Sequence, residues 1–137
     1  MGTRHQGRKL AMQTLYQVAT RSDDLEDLID SFFDESKVSE DSQNFGRQLA
    51  IAAWGFKDIA DEYVSKYAEG WTLDRISVVD LSVLRLAFYE LIKTDTPHNI
   101  VLNEAVELTK EFSSPESPKF INGILGQYVK DHVHGNH

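Results

Sequence analysis

At 137 residues, with a formal net charge of −8, 41% apolar and 26% charged side chains, the chain has the composition of one ordinary globular domain. It has no cysteine, which excludes disulfides, thiolate nucleophiles and zinc–thiolate sites. No apolar run nears the ~20 residues that span a bilayer. The N-terminal M-G-T-R-H-Q-G-R-K carries neither a signal-peptide core nor a myristoylation pattern, so a cytoplasmic protein with no membrane attachment is expected.

The first segment reads as a helix over about 4–20, because Leu10, Ala11, Leu15, Val18 and Ala19 recur at three- and four-residue steps. Residues 1–21 carry Arg4, Arg8, Lys9 and Arg21 and no acid, a charge of +4, whereas the ten basic and twenty-two acidic side chains that follow leave −12. An acidic body repels nucleic acid at long range, so any such binding has to be local to the N-terminal end. On the helix Arg4, Arg8 and Lys9 stand at i, i+4 and i+5, and Gln13 and Tyr16 continue at i+9 and i+12. The spacing predicts a ladder for a single strand: cations meet phosphates, the amide a base edge, the phenol a base face.

Ser22 is the expected cap of a second helix, with Asp23 and Asp24 in its first turn. Leu25, Leu28, Ile29, Phe32 and Phe33 form its apolar stripe. Ser39 caps the next. From there Phe45, Leu49, Ala52, Phe56, Ile59, Tyr63 and Tyr67 keep three- and four-residue steps, which predicts one long central helix over about 40–68, roughly 40 Å long, ended by Gly70. Thr72 to Ser77 reads as a short turn, with Trp71 and Leu73 pinned to the core. Ser77-Val78-Val79-Asp80 has the form of a capping box opening a helix over about 78–93. That helix is apolar almost all round, with Arg85 and Glu90 as exceptions, so it is expected to be buried on several sides.

After a loop at Pro97, a helix over about 99–112 presents Leu102, Ala105, Val106, Leu108 and Phe112 inward, and Glu104, Glu107 and Glu111 to solvent. Ser117 and Pro118 read as cap and first-turn proline of a last helix, about 118–131. In its first turns, Lys119, Phe120 and Asn122 form a second candidate binding patch, because Ile121, Ile124 and Leu125 already supply the inner face. The His-rich tail, 132–137, is expected to fray. No strand-like alternation appears. The fold class is all-α, a compact single-domain bundle of six to seven helices over 1–131.

Catalysis finds no support. The glycines form no phosphate-cradling loop, no nucleophile–base pair is visible, and His132, His134 and His137 sit where fraying makes a poor metal site. No catalytic residue, metal or cofactor is expected, and the chain reads as a binding protein.

The segments R-K-L-A-M-Q-T-L-Y-Q (8–17), V-D-L-S-V-L-R-L-A-F-Y-E-L (79–91), N-E-A-V-E-L-T-K-E-F (103–112) and K-F-I-N-G-I-L (119–125) resemble, in order and spacing, the transcription antitermination factor NusB family. The resemblance implies two helical subbundles. It also implies binding of single-stranded boxA RNA together with the ribosomal protein NusE, within an RNA polymerase antitermination complex that promotes read-through, chiefly in ribosomal RNA operons. Carried onto this chain, the family's basic N-terminus corresponds to Arg4, His5, Arg8 and Lys9, with His5, Gln6 and Gly7 inside a run that other members fill more densely with arginine. Tyr16 corresponds to the edge of that surface, and Glu116, Lys119 and Phe120 to a second RNA-contacting patch. Asp80 corresponds to an acid that contacts NusE, with Arg85 on the same helix. Arg4, Arg8, Lys119 and Phe120 are then expected to share one strip. Two rival readings are a structural or self-associating helical protein, such as a homodimer that hides the RNA surface, and the NusB-like module of ribosomal RNA cytosine methyltransferases. The latter is disfavoured by the absence of a second domain and a cofactor-binding glycine loop.

Overall fold

The computed structural model describes residues 2–21, 24–34 and 37–134, in two units, Met1–Gly55 and Phe56–His137. The described residues form seven α-helices and no strand. The expected cap at Ser22 and the acid at Asp23 lie outside the described residues, as do the side chain of Phe32, that of His134, and His137.

In the first unit, α1 (Thr3–Arg21), α2 (Leu25–Asp34) and α3 (Glu40–Gly55) follow from the apolar stripes. Leu10, Ala11, Met12, Leu15 and Val18 of α1, Leu28, Ile29 and Phe33 of α2, and Leu49, Ala50 and Ala53 of α3 are buried. Ala19, assigned to the inner face by spacing, is exposed. Ser39 is the cap expected for α3: its Oγ accepts the Ser42 N–H at 3.1 Å. The main contact of the unit is α1 on α3, and at its tightest point glycine meets glycine. A Cβ on Gly46 would stand 2.6 Å from the Gly7 carbonyl oxygen, and one on Gly7 would stand 2.6 Å from a ring carbon of Phe45 and 2.9 Å from the Ser42 carbonyl oxygen. Only residues without a side chain let the two backbones come this close.

The single long helix expected over about 40–68 does not form. α3 ends at Gly55, Phe56 turns (φ −95°, ψ 0°), and α4 (Lys57–Tyr67) starts anew. Gly55 is a weak helix former, while Phe56 is buried and sets its ring edge-on to Tyr89 at 5.8 Å. Nor is the stripe expected along that long helix the buried one: Ile59 is exposed, whereas Leu49, Ala53, Phe56, Ala60, Val64 and Ala68 are enclosed.

In the second unit, α4 is followed by Gly70 at φ 78° and a single 3₁₀ turn, Leu73–Arg75. Then come α5 (Val78–Lys93), α6 (His98–Phe112), α7 (Ser117–Val129) and a π-helical turn, Lys130–His134. α5 has the predicted bounds and is buried on several sides, with Val83, Leu84, Leu86, Ala87 and Phe88 all enclosed. Arg85 on it makes a two-pronged pair with Asp61 of α4, at 2.8 and 2.9 Å. On α6 the enclosed residues are Val101, Ala105, Leu108 and Thr109, whereas Leu102, Val106 and Phe112 are half-buried. The inner face is thus turned from the predicted one. α5 and α7 both pack on this helix, and Thr109 is accommodated because its hydroxyl donates to the Val106 carbonyl at 2.8 Å. At the start of the expected tail the His132 ring stacks on Tyr128 at 4.2 Å, and its Nδ1 lies 3.0 Å from the Tyr128 carbonyl; residues 135–137 lie outside the described residues.

Candidate nucleic-acid interface

The first unit carries the basic helix. Arg4 is exposed, with its guanidinium carbon 4.6 Å above the Phe45 ring centroid. Arg8 is only 3% exposed and lies 5.4 Å from the same ring. The predicted ladder of Arg4, Arg8 and Lys9 on one side is therefore not the face the helix presents. The outward run is His5, Lys9, Gln13 and Tyr16, at steps of four, four and three. His5, Lys9 and Gln13 are half-buried, and Tyr16 is exposed. Gly7 interrupts the basic run because α3 crosses there, leaving no room for a longer residue.

The second unit carries the other patch. Glu116, Lys119 and Asn122 are exposed at the start of α7, and Phe120 is half-buried. Phe120 forms one wall of a cleft of about 350 Å³. Trp71 stands on the same cleft, its ring 5.6 Å from that of Phe120 and inclined at 61°. Trp71 is 50% exposed and not pinned to the core as its sequence position suggested. Following Gly70 at a left-handed φ, it lies outside every helical stripe, so no core face is available to it. Arg75, exposed, also lines the cleft. Trp71 and Arg75 are the site residues that sequence reasoning missed. The available signal was a lone tryptophan in a polar stretch between two helices.

Asp80 forms the floor. Its carboxylate accepts the Ser113 hydroxyl at 2.7 Å on Oδ1 and the Ser117 hydroxyl at 2.8 Å on Oδ2. Only half of the expected capping box exists: Ser77 Oγ accepts the Asp80 N–H at 3.2 Å, but the carboxylate serves the α6–α7 hinge instead of returning to Ser77. Nor is Ser117 the cap of α7. It is the first helical residue, Glu116 precedes it without a side-chain cap bond, and the Ser117 hydroxyl is committed to Asp80. Asp80 is 7% exposed, so both residues assigned to partner contact, Asp80 and Arg85, hold internal bonds.

Asp80 thereby fixes the hinge that carries Glu116, Lys119 and Phe120. Arg4 and Arg8 stand in the first unit, Lys119 and Phe120 in the second. The first group offers the exposed Arg4 over the Phe45 ring, and the second the exposed Lys119 next in sequence to Phe120, which suits a phosphate backbone with unstacked bases.

The NusB family model matches residues 5–130, across both units. Transcription antitermination protein NusB of Acetivibrio thermocellus is 38% identical over 128 residues, covering 93% of this chain and 88% of that protein. The protein of the same name from Desulfitobacterium hafniense (strain DSM 10664 / DCB-2) is 40% identical over 131 residues, with the same coverage. Among solved structures, T. maritima NusB superposes with a TM-score of 0.84 at 34% identity, over 94% of this chain and 92% of that one. A chain in a crystal structure of antitermination factors NusB and NusE in complex with dsRNA superposes with a TM-score of 0.86 at 26% identity, over 96% and 99%. The match over nearly the whole length, at these identities, places the chain in the NusB family.

Proposed function

We propose that this chain is a non-enzymatic transcription antitermination factor that binds RNA together with NusE, chiefly in ribosomal RNA operons. The observations that carry the reading are the exposed Arg4 of α1 over the Phe45 ring and the Trp71–Phe120 ring pair at the start of α7, in a chain that superposes with a TM-score of 0.86 on one from a complex of NusB and NusE with dsRNA. Arg4, Lys9, Gln13 and Tyr16 hold one stretch of RNA, and Lys119, Phe120, Asn122 and Glu116 another. Arg8 and His5 support the first group. Asp80 and Arg85 act on partner binding by setting α5 and the hinge. The −12 charge of residues 22–137 favours a basic protein partner. The site of action is the cytoplasm, in complex with RNA polymerase.

The test is fluorescence anisotropy of a labelled boxA RNA, with and without NusE. Phe120→Ala is expected to weaken RNA binding by roughly 1–3 kcal/mol while leaving the helical circular dichroism intact. Absence of RNA binding in the presence of NusE would overturn the proposal. Early melting of the Phe120→Ala protein would reassign Phe120 to the core.

A further inference from the structure

We propose that the cleft between Trp71 and Phe120 receives one unpaired base of the bound RNA, stacked on Trp71. This deepens the RNA-binding reading and rests on it. Four features of the second unit select such a ligand. Trp71 keeps half of its surface accessible although it meets Phe120 at 5.6 Å, so a large aromatic surface remains open to stacking. The cleft holds about 350 Å³, the scale of one heterocycle with part of its sugar and too small to seat a helix. Arg75 on the cleft and Lys119, next in sequence to its wall residue Phe120, are exposed cations that can meet the phosphates flanking that base. The Ser114 hydroxyl and the Glu116 carboxylate supply polar groups for a base edge.

The walls are held in place before any ligand arrives. Asp80 ties Ser113 and Ser117 together beneath the cleft, and Ser114 Oγ lies 2.9 Å from Ser117 Oγ. The hinge bearing Phe120 therefore loses little freedom on binding. A base has to leave its stack to enter, so the slot accepts single-stranded RNA and refuses the same sequence in a duplex.

The chain has two tryptophans, and Trp54→Phe leaves Trp71 as the sole indole reporter in the full-length protein. Titration with single-stranded boxA RNA is expected to quench Trp71 emission and shield it from acrylamide; the fully paired duplex of that RNA is expected to do neither. Trp71→Ala should weaken single-strand affinity roughly 5- to 150-fold, and Trp71→Phe, which keeps a ring, much less. RNA bound by anisotropy with unchanged Trp71 emission and undiminished Trp71→Ala affinity would overturn the slot while leaving the RNA-binding function standing. Equal quenching by the duplex would also overturn it. So would quenching by NusE alone, with the Trp71→Ala loss falling on NusE, which would make the cleft a protein contact. Failure of the wild-type chain to bind RNA at all would remove the function and the slot together. Should Trp71→Ala misfold, the emission titration and Trp71→Phe still decide.

Discussion

Asp80 shows how one buried carboxylate organises a loop. Two serine hydroxyls from the α6–α7 hinge donate to it, and its own amide is held by Ser77. Asp80→Ala would leave those hydroxyls without their charged acceptor, at a cost of roughly 2–3 kcal/mol in chemical denaturation. Combining it with Ser117→Ala should cost less than the two separate effects together, because both remove the same bond. Tyr67 makes a second residue-scale prediction. Its phenol is pushed up to about 12, first by burial and then by the hydrogen bond it donates to Asp131 at 3.0 Å. The folded chain keeps this proton where an unfolded chain, with the ordinary tyrosine value near 10, has lost it. The stabilisation is thus complete below about pH 10 and disappears as pH climbs through about 12. In an alkaline titration followed by phenolate absorbance, Asp131→Asn should move the highest tyrosine transition downward, though not fully to the ordinary value, because burial persists. Legibility varied sharply among single residues. The Ser39 cap was readable, since capping is a local bond. The commitments of Asp80 and Ser117, and the burial of Arg8, were not, because each depends on partners distant in sequence or on packing.

Among the elements, the α1–α3 crossing is the most sharply constrained. Gly46→Ala would push a methyl group to 2.6 Å from the Gly7 carbonyl oxygen, a backbone atom that cannot swing away. Overpacking typically costs about 1–3 kcal/mol, against a helix-propensity gain of about 1 kcal/mol for replacing glycine. Net destabilisation and a melting point lower by several degrees are expected. Gly126→Ala in α7 is the control. Nothing lies within 4 Å of its would-be Cβ, so the same substitution should be neutral or stabilise by up to about 1 kcal/mol. Helix positions were legible because amphipathic periodicity is a local record of burial, and α5 matched its predicted bounds residue for residue. The break at Phe56 was not legible, because apolar residues continue on both sides of it and only packing decided that Ala60 and Val64, and not Ile59, face inward. The turned face of α6 was hidden for a related reason: a helix covered by two neighbours has a wide apolar arc whose centre is set by those neighbours.

For the whole molecule, charge distribution governs how RNA is met. With about three or four phosphate contacts, log affinity should fall with log salt at a slope of roughly −2 to −3, so fourfold more salt weakens binding roughly 20- to 50-fold. A salt-independent signal in the anisotropy titration would exclude the proposed phosphate contacts. The all-α class, the bounds of most helices, the basic N-terminus on an acidic chain and the family resemblance were all determined by the amino-acid sequence, because helical period, capping, composition and motif spacing are properties of residues near one another along the chain. Tertiary structure alone decided which way Arg8 and Trp71 face, why Gly7 stands within a basic run, and that Asp80 binds the hinge. Each of these is settled by an atom many residues away, and only folding brings that atom within reach.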